Sequence, residues 1–153
     1  MPDERALGSR SEVLCGKICL VVNEAIDDSN GWDFLLQGQT VVQLGLDYRF
    51  CLRIEGGTEI VIQTPFLLRR ECSSVRIDPE VVTEHAHVLP LLHQRVRTAA
   101  ASRLGLLRLT FHDGHELEVA PCDEFENWQV TLPDGRLYVG MPGGGVASFP
   151  ARA

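Results

Sequence analysis

Apolar and polar residues alternate most strictly between positions 42 and 62. Even positions from Val42 to Ile54 are apolar while odd positions are mainly polar, so one side of an extended chain is apolar. Because this run exceeds an ordinary strand, it predicts either one bent strand or two strands separated by a kink near residues 45–47. The dipeptide Gly56-Gly57 predicts a tight turn, followed by a returning strand over residues 59–64. The pattern therefore predicts a β-hairpin with one apolar face.

A second segment repeats this pattern further along the chain. Residues 109–119 match residues 52–62 position for position, with the turn at Asp113-Gly114 in place of Gly56-Gly57. A third hairpin is predicted around Pro133-Asp134-Gly135, and a last short strand over residues 146–149. The spacing is too irregular for a solenoid. The chain is therefore interpreted as an antiparallel sheet with two weakly repeated hairpin units.

One segment between the hairpins has the chemistry of a helix start. Asp78 can cap free amides, Pro79 suits the first turn, and Glu80 complements the helix dipole. A helix is predicted from residue 78 to about residue 89, because Pro90 interrupts it. The predicted fold class is α+β, with the antiparallel sheet covered on one face by one main helix. Residues 1–12 are predicted to be a flexible N-terminus, and residues 13–150 a single α+β domain.

Composition narrows the class of protein. The chain has 153 residues, of which 44% are hydrophobic, and a formal net charge of -7. That charge repels phosphate backbones, so no nucleic-acid partner is expected. No segment approaches the roughly 20 apolar residues of a membrane helix, so no membrane association is expected. The start lacks a secretion signal, which predicts a cytoplasmic location and reduced thiols with no structural disulfide among the five cysteines.

Signatures of catalysis and metal binding are sparse. The five histidines and five cysteines show no Cys-x-x-Cys or His-x-x-x-His spacing, and the chain has no Gly-x-Ser-x-Gly motif or P-loop. His85 and His87 would point to opposite sides of a helix, and His112 and His115 flank a turn, where exposure to solvent is the simpler interpretation. We therefore assign no catalytic residue, no metal ligand and no cofactor. A cysteine and a histidine that meet only in the folded chain stay an open alternative.

Two stretches supply candidate binding residues. Asp47, Tyr48 and Arg49 lie in the alternating run, where Asp47 and Arg49 would share a strand face as an ion pair or a polar binding strip. Glu126 and Trp128 belong to an acidic aromatic stretch over residues 123–128 that suits a basic partner. The alternative is that Phe125 and Trp128 both pack into the core from one helical turn. Exposure of two of the three aromatic residues on one surface would indicate an interface.

Several short motifs recur in a known group of proteins. They are Gly38-Gln39-Thr40-Val41, Leu46-Asp47-Tyr48-Arg49-Phe50, Pro65-Phe66, Leu107-Arg108-Leu109-Thr110-Phe111-His112-Asp113-Gly114, Leu117-Glu118-Val119, Glu126-Asn127-Trp128 and Pro142-Gly143-Gly144-Gly145. On these motifs the chain resembles, over roughly residues 36–149, the DUF6188 type of small, mostly actinobacterial proteins of unknown function. The resemblance implies no activity and gives no residue a chemical role.

These observations favour a non-catalytic protein-interaction module. Small acidic proteins can neutralise a basic partner, as immunity proteins do for toxins, so the expected partner is a protein or a second copy of the chain. The alternative function is a small-molecule or metal-dependent enzyme with a site between sheet and helix. It would use His85 or His93 with a cysteine or carboxylate.

Overall fold

The computed structural model describes residues 31–151, which form twelve strands in two antiparallel sheets. The strands are β1 (Gly31–Asp33), β2 (Val41–Leu46), β3 (Phe50–Ile54), β4 (Glu59–Ile62), β5 (Phe66–Arg70), β6 (Ser73–Ile77), β7 (Val96–Ser102), β8 (Leu107–Phe111), β9 (His115–Val119), β10 (Trp128–Thr131), β11 (Leu137–Gly140) and β12 (Val146–Phe149). The first sheet has the order β1-β7-β8-β9-β5-β6, and the second has the order β12-β11-β10-β4-β3-β2. The predictions for residues 1–30, including the flexible N-terminus, lie outside the described residues.

The glycine turns form hairpins as the alternating pattern predicts. β3 pairs with β4 around Gly56-Gly57, and β8 pairs with β9 around Asp113-Gly114. Leu52 faces Ile60 in the first hairpin, just as Leu109 faces Leu117 in the second. β10 and β11 form the third predicted hairpin, and β12 is the last short strand. The two aligned segments therefore have matching cross-strand registers.

The long alternating run is two strands rather than one. β2 and β3 are antiparallel partners, so the chain reverses direction at residues 47–49 instead of only kinking. A bulge between Val41 and Gln43 shifts the alternation, which buries Val41 and leaves Val42 exposed.

The prediction of an α+β fold with one main helix is wrong. The segment expected to be that helix contains a 3-10 helix from Val82 to Leu91, and the rest of the architecture is two sheets. Its buried residues, Val88 and Leu91, are three positions apart, which matches the three-residue turn of a 3-10 helix. Pro90 lies inside the segment and removes an amide donor, which disfavours a continued α-helix. Within the described part of the chain, no helix has the length and apolarity that crossing a bilayer requires.

The two sheets enclose one core. Buried residues from both sheets belong to a single hydrophobic cluster, which indicates that the sheets pack face to face. The rings of Phe50 in β3 and Phe66 in β5 stack with centroids 5.4 Å apart. The indole Nε1 of Trp128 in β10 donates a 2.9 Å hydrogen bond to the carbonyl of Gly105, in the turn between β7 and β8. These contacts connect the second sheet to the first.

The hairpin of β5 and β6 has no clean sequence signal because each face of β5 contains both apolar and charged residues. Arg69 in β5 points away from the core and contacts Glu116 and Glu118 of β9, each at 2.8 Å. Glu118 also contacts Arg108 of β8 at 2.8 Å. Leu67 lies on this outward face and Arg70 on the inward one, so β5 does not alternate strictly between apolar and polar residues.

The cysteines depart from the expectation of reduced thiols. Cys72, in the turn between β5 and β6, is disulfide-bonded, whereas Cys51 and Cys122 are free. Cys15 and Cys19 lie outside the described residues.

Candidate functional site

Two exposed loops project from one end of the second sheet. Phe50, at the start of β3, pairs with Ile62 of β4, which pairs in turn with Trp128 at the start of β10. The turn before β3 and the loop before β10 therefore project from the same end of the sheet. We call residues 47–49 together with residues 121–127 the acidic aromatic end.

Asp47, Tyr48 and Arg49 form the first loop of this end. They lie in a turn between β2 and β3 rather than on a strand face, which corrects the expected polar strip. The Asp47 carboxylate accepts a 2.7 Å hydrogen bond from the Arg49 amide, and its other oxygen lies 3.8 Å from the Arg49 guanidinium. Both side chains are exposed, so the ion pair contributes at most about 1 kcal/mol. The turn leaves the Tyr48 side chain 80% exposed.

Residues 121–127 form the second loop, which is fastened at both ends. The buried amide of Asn127 donates to the carbonyl of Ala120, and the Gly143 amide donates a 2.8 Å hydrogen bond to the carbonyl of Cys122. Phe125 between these anchors is 58% exposed, and Glu126 is exposed beside it. The hydrogen bonds hold the loop in a shape that presents an aromatic ring to solvent.

Trp128 is a core residue, so its candidacy as a binding residue is wrong. Its side chain is fully buried, and its only polar group is satisfied by Gly105. It is the first residue of β10 and shares no helical turn with Phe125, so the expectation that both rings enter the core together is also wrong. One of the two aromatic residues is buried and the other is exposed.

The acidic aromatic end brings four of the five candidate residues together. It contains Asp47, Tyr48, Arg49 and Glu126, and Phe125 lies in the second loop beside Glu126. Only β4 separates β3 from β10, so at the usual strand spacing the loops start about 10 Å apart. Two further exposed carboxylates, Asp123 and Glu124, accompany one guanidinium, so the end is acidic. Such a surface can attract a cationic partner and contact it through two rings.

No hydrogen bond joins the residues of the alternative enzymatic site within residues 31–151. The His85 imidazole lies 2.8 Å from the carbonyl oxygen of Pro79, and His93 lies in the turn before β7. Neither imidazole hydrogen-bonds to a cysteine or carboxylate within residues 31–151. Burial and the hydrogen bond to Glu59 raise the pKa of Cys51 to about 11, which keeps this thiol protonated at neutral pH.

One histidine has a partner that the sequence interpretation missed. His115 is buried, and its Nδ1 lies 2.7 Å from the Asp113 carboxylate. Its position beside a glycine turn predicts exposure to solvent, and that prediction is wrong. The spacing Asp-x-His across a glycine turn was the available signal, because an Asp side chain commonly bonds two residues ahead. Among the described residues, no group of three or more potential metal ligands occurs.

Comparison with known proteins gives a family and nothing further. No curated protein and no solved structure matches the chain. The sequence profile of a family of unknown function, DUF6188, matches residues 32–150, which are 119 of the 153 residues. This range contains every described strand except the first residue of β1. The chain therefore belongs to the DUF6188 family.

Proposed function

We propose that this protein is a non-catalytic interaction module that binds a basic protein surface through its acidic aromatic end. The observation that carries the proposal is the joint exposure of Tyr48 and Phe125 at one end of the second sheet. Exposed aromatic rings cost free energy in water, and aromatic residues are frequent anchors in protein interfaces. The surrounding carboxylates give this end the charge that a basic partner would complement.

The local hydrogen bonds make this end suitable for binding. Its two loops are fixed by Asp47 and Asn127, so an incoming partner would order little of the chain. Preorganisation of this kind reduces the entropy cost of association. The carboxylates would mainly raise the association rate and make it sensitive to salt. Neutralisation of a basic toxin, as immunity proteins perform it, is one form of this function, supported by analogy in size and charge.

A comparison of bound proteins tests the proposal. Immobilised wild-type protein and the double variant Tyr48→Ala/Phe125→Ala are exposed to extract from the native cells, and bound proteins are quantified by mass spectrometry. We expect a basic protein that the wild type retains and the double variant loses. Its purified form should bind more weakly as salt rises.

The matched control is Val82→Ala/Leu104→Ala, which removes two hydrophobic side chains that are 76% and 77% exposed elsewhere on the surface. This control should retain the same basic protein. If both double variants lose it equally, or no protein distinguishes the first variant from the wild type, the acidic aromatic end is not the binding surface.

A second copy of the chain is the other partner that the fold supports. Within residues 31–151, β1 and β6 at the edges of the first sheet and β12 at one edge of the second each have a side that pairs with no strand, and β2 at the other edge is bonded on that side only at Val41. An unpaired edge can template a further strand. Light scattering across a concentration series distinguishes the two cases, since self-association would give a mass above 17.0 kDa.

The cytoplasmic location is part of the same proposal, and the cysteines allow it to be tested. The disulfide at Cys72 weighs against this location, because disulfides persist mainly in oxidising compartments. Rapid alkylation of protein in its native cells, followed by peptide mapping, measures whether Cys72 is reduced. A reduced Cys72 would support the cytoplasm, whereas a protected Cys72 would place the protein in an oxidising compartment.

A further inference from the structure

A pocket of about 470 Å³ lies far from the acidic aromatic end, where β5 ends and β9 begins. The side of the pocket opposite the first sheet is the 3-10 helix, whose residues His87 and Pro90 both line it. These two residues are three positions apart, so the 3-10 repeat places them on one face of the helix. The volume is within the range of pockets that hold small organic ligands.

The strand register arranges the sheet side of this pocket into a polar row and an apolar row. Ser73 of β6 pairs with Arg70 of β5, which pairs with His115 of β9, so these side chains share one face of the sheet. Two residues further into the sheet, Val75 pairs with Leu68, and both also line the pocket. A ligand would therefore find polar groups at one end and an apolar floor beside them.

Asp113 fixes the orientation of the His115 imidazole in this polar row. Asp113 accepts hydrogen bonds from the His115 amide at 2.9 Å and contacts its Nδ1 at 2.7 Å. With Nδ1 bound in this way, Nε2 is the ring nitrogen left for a ligand, and it makes no hydrogen bond in the described part of the chain. The His115 side chain is only 10% exposed, so the imidazole lies in the wall of the pocket rather than in open solvent.

One guanidinium in the lining of the pocket is not occupied by a carboxylate of the described residues. Arg69 is occupied by Glu116 and Glu118, whereas Arg70 has no ion pair within residues 31–151. His87 likewise makes no side-chain hydrogen bond there. Asp113 is occupied by His115, which leaves Glu71 as the lining carboxylate without a cationic partner. The Arg70 guanidinium, with the Ser73 hydroxyl on the same face of the sheet, suits an anionic group that accepts several hydrogen bonds.

We propose that this pocket binds a small organic anion, either a carboxylate or a phosphate ester. The anionic group would contact the Arg70 guanidinium and the Ser73 hydroxyl, beside the His115 imidazole. The apolar part of the ligand would lie on Leu68 and Val75. This site is distinct from the acidic aromatic end, so it adds a ligand to a protein that we propose binds a protein partner elsewhere.

Calorimetric titration with four matched compounds tests the pocket. Benzoate and phenyl phosphate carry the proposed anions on one apolar ring, benzyl alcohol is neutral, and benzylamine is cationic. We expect at least one anion to bind while the alcohol and the amine do not, and the tighter anion identifies carboxylate or phosphate as the group recognised. Binding of the amine equal to that of the anions, or no binding of either anion at millimolar concentration, would overturn the proposal.

Variants locate the binding. Arg70→Gln should weaken the anion roughly tenfold or more, because it removes a charge-assisted contact. Arg76→Gln is the matched control, since Arg76 pairs with Leu67 on the opposite face of the sheet and is exposed there. Equal losses in both variants would indicate attraction by overall charge and contradict a built site.

A second readout covers the case in which Arg70→Gln does not fold. In the wild type, benzoate or phenyl phosphate should shift the imidazole resonances of His115 and His87 in nuclear magnetic resonance spectra. His112, which is exposed and does not line the pocket, should not shift. Shifts confined to His112, or spread evenly over the three histidines, would contradict the proposal.

Discussion

At the residue scale, the charged outer face of the first sheet is a coupled network. Glu118 accepts hydrogen bonds from Arg108 and Arg69, each at 2.8 Å, and its side chain is 17% exposed. Burial alone would raise the pKa of Glu118, but the two guanidinium groups outweigh burial and lower it. The same carboxylate helps to raise the pKa of Arg69 against the effect of burial. Ionisation of Glu118 is therefore linked to folding.

The variant Glu118→Gln should reveal this linkage in the pH dependence of stability. A carboxyl group whose pKa is lowered by folding stabilises the protein above its unfolded pKa, and this stabilisation is lost as pH falls through the folded value. At neutral pH the variant should lower the free energy of unfolding by about 2 kcal/mol, because two guanidinium groups lose a charged acceptor. Urea denaturation measures the difference, which should shrink as the buffer is acidified below the ordinary glutamate pKa.

Glu124→Gln is the control for this prediction, because Glu124 is exposed and makes no ion pair with any described residue. It should leave stability nearly unchanged across the same pH range. A gap between wild type and Glu118→Gln that stays constant from neutral to acidic pH would contradict the linkage.

The sequence predicted the burial or exposure of some side chains correctly and of others incorrectly. The acidic stretch indicated that Glu126 faces water, but it could not separate the exposed Phe125 from the buried Trp128. A Trp and a Phe have the same hydrophobic signal, and the strand start at Trp128 decides which ring enters the core. His115 was misplaced because a histidine beside a glycine turn is usually exposed. Its burial depends on Asp113 and on the neighbouring strand β5, and the strand pairing is long-range.

At the scale of elements, β10 and β11 meet with very little space between them. A Cβ added to Gly140 at the end of β11 would lie against Oδ1 of Asn127 and the indole of Trp128. Both neighbours are buried, and both make hydrogen bonds that fix their positions. The end of β11 therefore requires a residue without a side chain.

Gly140→Ala should lower the free energy of unfolding by about 1–3 kcal/mol, the usual cost of overpacking. Gly45→Ala is the matched control in β2, where the added Cβ would lie 3.1 Å from the Cβ of the half-buried Cys51. The control should cost clearly less, because Gly45 lies on the outer face of an edge strand. Thermal unfolding of both variants measures the comparison. A larger loss for Gly45→Ala would show that the close approach at Gly140 is relieved without cost.

Elements with local signals were predicted, and elements defined by distant contacts were not. The hairpins at Gly57 and Gly114 follow from positive backbone φ angles that glycine adopts without strain. The helix prediction relied on Asp78, Pro79 and Glu80, and two of these residues do act locally: the Asp78 carboxylate accepts a hydrogen bond from the Glu80 amide. That contact closes a turn before Val82, but it does not determine whether the next segment is an α-helix or a 3-10 helix.

At the scale of the whole molecule, local sequence patterns could not predict that two sheets pack face to face. The alternation predicted ribbons with one apolar face, but it did not indicate what covers that face. In the structure the apolar face of each sheet is covered by the other sheet, and the 3-10 helix contributes only Val88 and Leu91 to the core. The error in fold class therefore came from giving a helix the role that a second sheet performs.

This shared core predicts that the two sheets unfold together. Phe50 and Phe66 stack across the sheets, and Trp128 bonds to a turn of the first sheet, so loss of either sheet exposes the core of the other. The variant Trp32→Phe leaves Trp128 as the single tryptophan, and its fluorescence then reports the packing of β10 in the core shared by the two sheets. We expect its urea midpoint to coincide with that from circular dichroism, which reports the strands of both sheets. Two separated midpoints would mean that the sheets are independent folding units, and the core between them would then contribute little to stability.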